Sequence, residues 1–291
     1  MKIAIAWHHE DGIKEYWDTP RGISIAFEKL GHEIGEYGFD PKNCDLSRLI
    51  KDVENYDFIL IMYAGGSDTL DSEIKKLRKL TKKKILIEMG DEPQTNGSNQ
   101  VRLQYADAIF TPDLRCQKNY ISRGINSYWL THWGDEFMFD YDETIPRQNR
   151  CVTTCGQRYG TDYIKSNLGD YFLNERIPVE ENKKFYNSGT VSFQFANFDE
   201  ITRRVMEAGG CKLAMVTNAI SPETGIYDIF KHEEDILYYR DPNEAINCIS
   251  RLLSDHNLRE KLANNLYDKI NKFHRSKIRC EQLLKIFNNL K

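Results

Sequence analysis

Long apolar runs are missing from this sequence: no stretch approaches the ~20 consecutive apolar residues that a membrane-spanning helix needs. An excess of one charge is missing too, since 40 Lys and Arg against 44 Asp and Glu leave a net charge of −4. That balance excludes a wholesale electrostatic nucleic-acid binder but leaves room for a local basic patch. Cysteine is scattered and odd in number: Cys44, Cys116, Cys151, Cys155, Cys211, Cys248 and Cys280. Such usage fits reduced thiols in place of a disulfide framework. Cys151 and Cys155 are spaced C-x3-C, but no second Cys or His pair stands at zinc-site spacing, so they read as small buried residues. No G-x-G-x-x-G fingerprint occurs. The letters of a metal-binding D-x-D do occur in Asp140-Tyr141-Asp142, within a polar stretch where they read as chance. The opening run Met1 to Trp7 is too short for a signal segment and meets His8, His9, Glu10 and Asp11 at once, so a cytoplasmic location is expected.

What is present is a repeated alternation of strand and helix. Strands are expected over 2–6, 58–63, 84–89, 108–111 and 127–130, with helices over 19–30, 72–81, 100–105 and 114–122 between them. The run Phe58-Ile59-Leu60-Ile61-Met62-Tyr63 is continuous in the manner of a parallel strand buried on both faces. Residues 140–149 break the rhythm with polar residues and Pro146, and are read as a linker. A second series follows with strands over 152–156, 191–195, 212–217 and 236–239. A helix over 199–209 and three closing helices over 243–254, 258–273 and 277–290 complete it. The expected architecture is α/β, with two doubly wound domains binding a ligand outside the carboxyl ends of their strands.

The segment from Phe198 to Cys211 leaves a strand and opens a helix, and a helix N-terminus offers free N–H groups and positive dipole to a diphosphate. Thr202 stands at that opening. Arg204 and Glu207, three apart, share a helix face. A guanidinium can fork onto phosphate oxygens and a carboxylate can accept both hydroxyls of a ribose, although an i,i+3 surface pair would use the same letters. Gly156-Gln157-Arg158-Tyr159-Gly160 follows the first strand of the second series, where glycine allows close backbone approach to phosphate. On the first domain, Asp91 follows the strand over 84–89 and is placed to take a proton from an attacking hydroxyl, with Glu92 and Asp135 as rival carboxylates. His8, His9, Gly65 and Gly66 end other strands of that domain and are acceptor-side candidates. Lys75, Lys76, Lys79, Lys82, Lys83 and Lys84 form a basic cluster, either a solvated face or a grip on an acidic acceptor.

Arg204-x-x-Glu207-Ala208-x-x-Cys211 resembles the R-x-x-E-A-x-x-C signature of GT-B glycosyltransferases, in particular CgeB-like proteins. Thr224 to Phe230, Asp235 to Glu244 and the run from Phe273 to Leu284 resemble the segments that follow it there. Gly90-Asp91-Glu92-Pro93 and Trp129 to Asp135 resemble upstream motifs of the same family. Two short segments, 201–207 and 84–91, are also similar to phage DNA β-glucosyltransferases. The resemblance implies a GT-B fold with a C-terminal helix crossing back to the first domain. Its implied divisions are a 1–139 Rossmann-like acceptor domain, a 140–149 linker, a 150–272 nucleotide-sugar-binding domain and a 273–291 crossover helix.

The resemblance further implies transfer of a hexose or pentose from a nucleotide-diphosphate sugar to an acceptor hydroxyl, without a metal. A UDP-sugar is the expected donor and no separate cofactor is expected. Arg204 and Arg158 would hold the diphosphate, Glu207 the ribose, and Asp91 would act as base. The acceptor would be hydroxymethylpyrimidine in phage-type DNA, or a glycan, protein or small molecule. Only about thirty residues separate Gly156 from Tyr186, fewer than the family's usual βα unit takes, so the second domain is shortened where the base of the nucleotide would bind. A nucleotide-sugar-binding or epimerase-like protein, or a degenerate interaction module, are the competing classes.

Overall fold

The computed structural model describes residues 1–8, 19–39, 45–62, 68–90, 92–94, 102–158 and 160–290. The chain forms two compact units, one of Met1–Thr131 with Lys277–Lys291 and the other of His132–Ser276.

In the first unit the chain runs β1 (Lys2–His8), α1 (Thr19–Lys29), β2 (Glu33–Phe39), α2 (Ser47–Asp52), β3 (Phe58–Met62), α3 (Asp68–Leu80) and β4 (Lys84–Glu88). It continues through β5 (Ala108–Thr111), α4 (Leu114–Ser122) and β6 (Ser127–Trp129). The sheet order is β2-β1-β3-β4-β5-β6, and every pairing is parallel. All five residues of β3 are buried, as a strand covered on both faces requires. One face carries a core built from Leu49, Ile74, Leu77, Cys116 and Tyr120 against Ile59, Ile61, Ile85 and Ile87. Of the helix expected over 100–105, the described residues form a 3-10 turn, Arg102–Gln104. There the wholly buried Arg102 pairs with Asp71 at 2.5 Å, and this ion pair anchors the turn.

The strand β2 has no counterpart in the expected elements. Its sequence, Glu-Ile-Gly-Glu-Tyr-Gly-Phe, mixes charge with two glycines and lacks an apolar run. Gly35 is required by packing, because a Cβ there would lie 2.0 Å from the Tyr56 hydroxyl. That hydroxyl is 2.8 Å from the hydroxyl of Tyr37 two residues along the strand.

The second unit contains β7 (Cys151–Thr153), α5 (Thr161–Leu168), β8 (Phe172–Asn174), α6 (Asn182–Asn187), β9 (Val191–Gln194), α7 (Arg203–Gly210) and β10 (Ala214–Asn218). It ends with α8 (Ile226–Ile229), β11 (Leu237–Tyr239), α9 (Pro242–Ser254) and α10 (His256–Phe273). The order is β11-β10-β9-β7-β8, again parallel throughout. Residues 140–149, read as a linker in the sequence, lie inside this unit. Arg147 donates to the Lys212 carbonyl at 2.7 Å, and the Asp142 N–H donates to Asn187 Oδ1 at 2.9 Å. Polar side chains meet backbone carbonyls here, so the stretch packs without an apolar pattern.

The final helix α11 (Ser276–Asn289) joins the first unit. Its Arg279 is buried and donates to the Thr131 carbonyl at 3.0 Å, while Phe287 lies 4.5 Å from the ring of Phe58. Among the described residues no helix is long and apolar enough to cross a membrane.

Candidate active site

The carboxyl ends of β7, β9, β10 and β11 share one edge of the second sheet, where doubly wound folds hold ligands. Two loops leave adjacent strands there: one beginning at Thr154 after β7, and residues 195–202 after β9. Each is clamped by an asparagine that ends a flanking strand. Asn174 of β8 accepts the Gly156 N–H at 3.0 Å and donates to the Gly156 carbonyl at 2.7 Å. Asn218 of β10 does the same for Ala196, at 2.7 and 3.2 Å. The second loop is held again where Asp199, in the left-handed region at φ 54°, accepts the Ser221 N–H at 2.5 Å. Such fixed loops meet the geometric demand of a site whose ligand must not wander.

The second loop ends in α7, where Thr202 is the N-cap residue at φ −88° and ψ 152°. Its hydroxyl does not close back on the helix. Thr202 Oγ1 is buried and finds no hydrogen-bond partner among the described residues, and the same is true of Gln194 Nε2 at the end of β9. Both atoms lie at the sheet edge where doubly wound folds hold ligands, and a bound ligand there would satisfy them. Arg203 Nε pairs with Glu207 Oε1 at 3.0 Å one helical turn on, and this pair fixes a carboxylate that is itself only 8% exposed. Arg204, half-buried, has no ion pair among the described residues.

Thr202, Arg204 and Glu207 therefore stand together on the first two turns of α7. Tyr186 joins them to the first loop: its hydroxyl is 3.1 Å from Thr154 Oγ1. Burial drives the tyrosine's pKa far above its ordinary value, and the negative Glu207 beside it adds to the rise. Arg204 acts in the opposite sense on the same hydroxyl.

Gly156 lies in the first loop at φ 66°, and a Cβ there would come within 2.8 Å of Arg176 Nε. It borders an open cavity of about 750 Å³ lined also by Gln157, Thr161, Lys165, Asn174 and Arg176. Arg158 turns the loop into α5: its N–H donates to Thr161 Oγ1 at 3.0 Å, and its carbonyl accepts from the same hydroxyl at 2.8 Å. The guanidinium is half-buried and has no ion pair among the described residues.

The remaining sequence candidates fall elsewhere. Asp91, His9, Gly65 and Gly66 lie outside the described residues, as does the side chain of His8. Glu92 is buried in the first unit and accepts a hydrogen bond from Tyr120, a pairing that holds α4 to the core. Asp135, expected on the acceptor side, belongs to the second unit. It is 2% exposed, its Oδ1 accepts the Phe137 N–H at 2.8 Å, and burial pushes its carboxyl up to about 7. The neighbouring Gly134 lies against the Met206 carbonyl of α7, where a Cβ would come within 2.5 Å.

The Asp140 carboxylate meets Arg275 at 2.9 Å and that of Asp142 meets Lys183 at 3.5 Å. No group of His, Cys, Asp and Glu able to hold a metal ion occurs among the described residues. Cys151 and Cys155 are buried in the core of the second unit, where Cys155 Sγ donates to Gln194 Oε1 at 3.4 Å.

Tyr186, Asn174 and Asn218 were not marked by the sequence. A tyrosine three residues before a strand-opening turn, and asparagines at strand ends, look like ordinary packing and turn residues. Only the pairing of β8 with β7 and of β10 with β9 gives them their roles.

Residues 143–285 match a protein family described as glycosyl transferase-like. No curated protein matches the sequence. Among solved structures, HepE of Anabaena in complex with UDP and glucose is similar over all of both chains, with a TM-score of 0.70 at 10% identity. An α-glucosyltransferase in complex with UDP and a 13-mer DNA is similar over 99% of this chain and 100% of its own, with a TM-score of 0.68 at 13% identity. The DNA-modifying enzyme β-glucosyltransferase is similar over 99% of each chain, with a TM-score of 0.61 at 15% identity. The β-glucosyltransferase of T4 phage has also been solved with UDP and Mn2+.

These likenesses make the fold GT-B across the whole chain. Residues 143–285, which match the glycosyl transferase-like family, carry α7 and its clamped loops.

Proposed function

We propose that the protein transfers a sugar from a UDP-linked donor to an acceptor hydroxyl. The observation that carries this reading is the opening of α7, where the unpartnered Thr202 hydroxyl, Arg204 and the buried Glu207 surround free helix N–H groups. The diphosphate sits at that helix end, with Thr202 Oγ1 donating to it and Arg204 countering its charge. Glu207, oriented by Arg203, accepts the ribose hydroxyls. Uridine as the nucleoside is supported by the UDP held in the similar structures.

In the reaction the acceptor oxygen attacks the anomeric carbon as the bond from that carbon to the diphosphate oxygen breaks. The departing UDP keeps the electron pair, and Arg204 with the helix N–H groups stabilises the charge it gains. Asp91 takes the acceptor proton in the reading drawn from the family resemblance. Hydroxymethylpyrimidine DNA as acceptor is supported by the short segments 201–207 and 84–91 and by the DNA in one similar complex. The lysine cluster adds nothing to that support. Lys82 and Lys83 precede β4 and Lys84 opens it, at the edge opposite the carboxyl ends of the strands.

UDP release is the test. The protein is incubated with UDP-glucose and duplex DNA containing hydroxymethylcytosine, and in parallel with unmodified DNA and with glycan acceptors. Release that depends on a hydroxyl-bearing acceptor and disappears in Asp91→Asn supports the reading. Equal release with and without acceptor would reduce the activity to hydrolysis and contradict it.

A further inference from the structure

We propose that the amino-terminal edge of the first unit's sheet docks on an anionic membrane surface. All strands of this sheet are parallel, so they begin at one edge, away from the end where ligands bind in such folds. The large apolar side chains exposed in this unit, among the described residues, all belong to that edge. Met1 precedes β1 and is 40% exposed, Leu80 ends α3 and is 62% exposed, and Ile121 lies next to last in α4 and is 54% exposed.

Helices α3 and α4 cover the same face of the sheet. Their ends are tied through the start of β5: Arg78 of α3 meets Asp107 at 2.8 Å, and Asn126, just beyond α4, donates to the Asp107 carbonyl at 2.9 Å. Lys79 and Lys82 flank Leu80, and Lys118 lies three residues before Ile121; all three are exposed and have no ion pair among the described residues. Among the acids of this edge, Asp107 is shared by Arg78 and Lys84 and Glu33 meets Lys2 at 3.0 Å, while Glu54 accepts the Thr81 hydroxyl at 2.6 Å and Asp57 accepts the Lys2 N–H at 2.8 Å.

Aliphatic tips set among lysines are the two signals that together hold a protein on a bilayer, where either alone is weak. The apolar tips enter the acyl boundary and the ammonium groups reach lipid phosphates, each lysine adding to the attraction. A duplex surface would match the lysines but would leave Leu80 and Ile121 without a partner. The inference concerns the first unit alone and stands apart from the donor reading.

Flotation of the full chain with vesicles tests it, comparing phosphatidylcholine alone with a mixture containing about 30% phosphatidylglycerol. The wild type is expected to float only with the anionic vesicles and to be released by high salt. Lys79→Glu with Lys82→Glu, and separately Leu80→Asp with Ile121→Asp, should each weaken binding, the charge pair by on the order of a hundredfold. These side chains are exposed, and unchanged circular dichroism confirms that both variants fold. Failure of the wild type to float overturns the proposal, as does retention of binding by either folded variant. Loss in the charge variant alone, with short duplex DNA displacing the vesicles, would mark the edge as a nucleic-acid surface instead.

Discussion

Asn218 closes a ring with Ala196, accepting its N–H at 2.7 Å and donating to its carbonyl at 3.2 Å. The last residue of β10 thereby sets the course of the loop that enters α7, and with it the position of Thr202 and Arg204. A side chain that satisfies both polar groups of one residue leaves that backbone no cheap alternative, since breaking it strands a donor and an acceptor together.

Asn218→Ala is therefore expected to act on the site as well as on stability. Loss of the clamp should cost about 1–3 kcal/mol in urea unfolding and lower sugar transfer by roughly tenfold to a hundredfold through misplacement of the α7 opening. Steady-state rates measured at saturating donor check the second part. A purely structural Asn218 would lower the unfolding midpoint and leave the rate per folded molecule unchanged.

Adjacent arginines on α7 are expected to behave differently. Arg203 is committed to Glu207 at 3.0 Å, whereas Arg204 has no ion pair among the described residues. Arg204→Ala should reduce kcat/KM by on the order of a hundredfold to a thousandfold, because charge on the departing diphosphate loses its counterion. Arg203→Ala should mainly raise KM for the donor, because Glu207 loses the partner that orients it. Kinetics of the two variants side by side distinguish these roles, and equal losses with the same pattern would contradict the assignment.

The Asp135 carboxyl makes a prediction about pH. Burial raises it from 3.8 to about 7, so between these values the folded protein holds a proton that the unfolded chain has released. Stability contributed by this group is thus present at low pH and is lost as pH rises towards 7, by on the order of 4 kcal/mol in total. Asp135→Asn keeps an oxygen for the Phe137 N–H and removes the titration. Urea unfolding at pH 5 and pH 8 should show the variant gaining on the wild type at the higher pH. A constant difference between the two proteins would show that Asp135 does not titrate in this window.

How far the sequence disclosed this molecule depended on how local each signal was. The run 58–62 announces a buried strand because burial on both faces writes itself as uninterrupted apolar residues. Helix α7 was visible, though placed four residues early, because the strand before it and the Arg204 and Glu207 pair lie within twenty residues of one another. By contrast β2 is invisible, since Gly35 exists to admit the Tyr56 hydroxyl from 21 positions away. The inclusion of residues 140–149 in the second unit depends on Arg147 meeting the carbonyls that end α7, a partner no local pattern names. The same applies within the site. Thr202, Arg204 and Glu207 lie on one helix and could be read together, whereas Tyr186, Asn174 and Asn218 acquire their roles only once the strand order is known.

The most direct test of the account is donor binding at α7. Thermal unfolding is followed with UDP-, GDP-, dTDP- and CMP-linked sugars, on the wild type and on Glu207→Ala. A donor at about a hundredfold above its Kd stabilises the folded state by roughly 2.7 kcal/mol, which is readily seen as a rise in Tm. A UDP-sugar is expected to raise the Tm of the wild type and to leave that of Glu207→Ala unmoved. No shift with any donor, or an equal shift in both proteins, would contradict it.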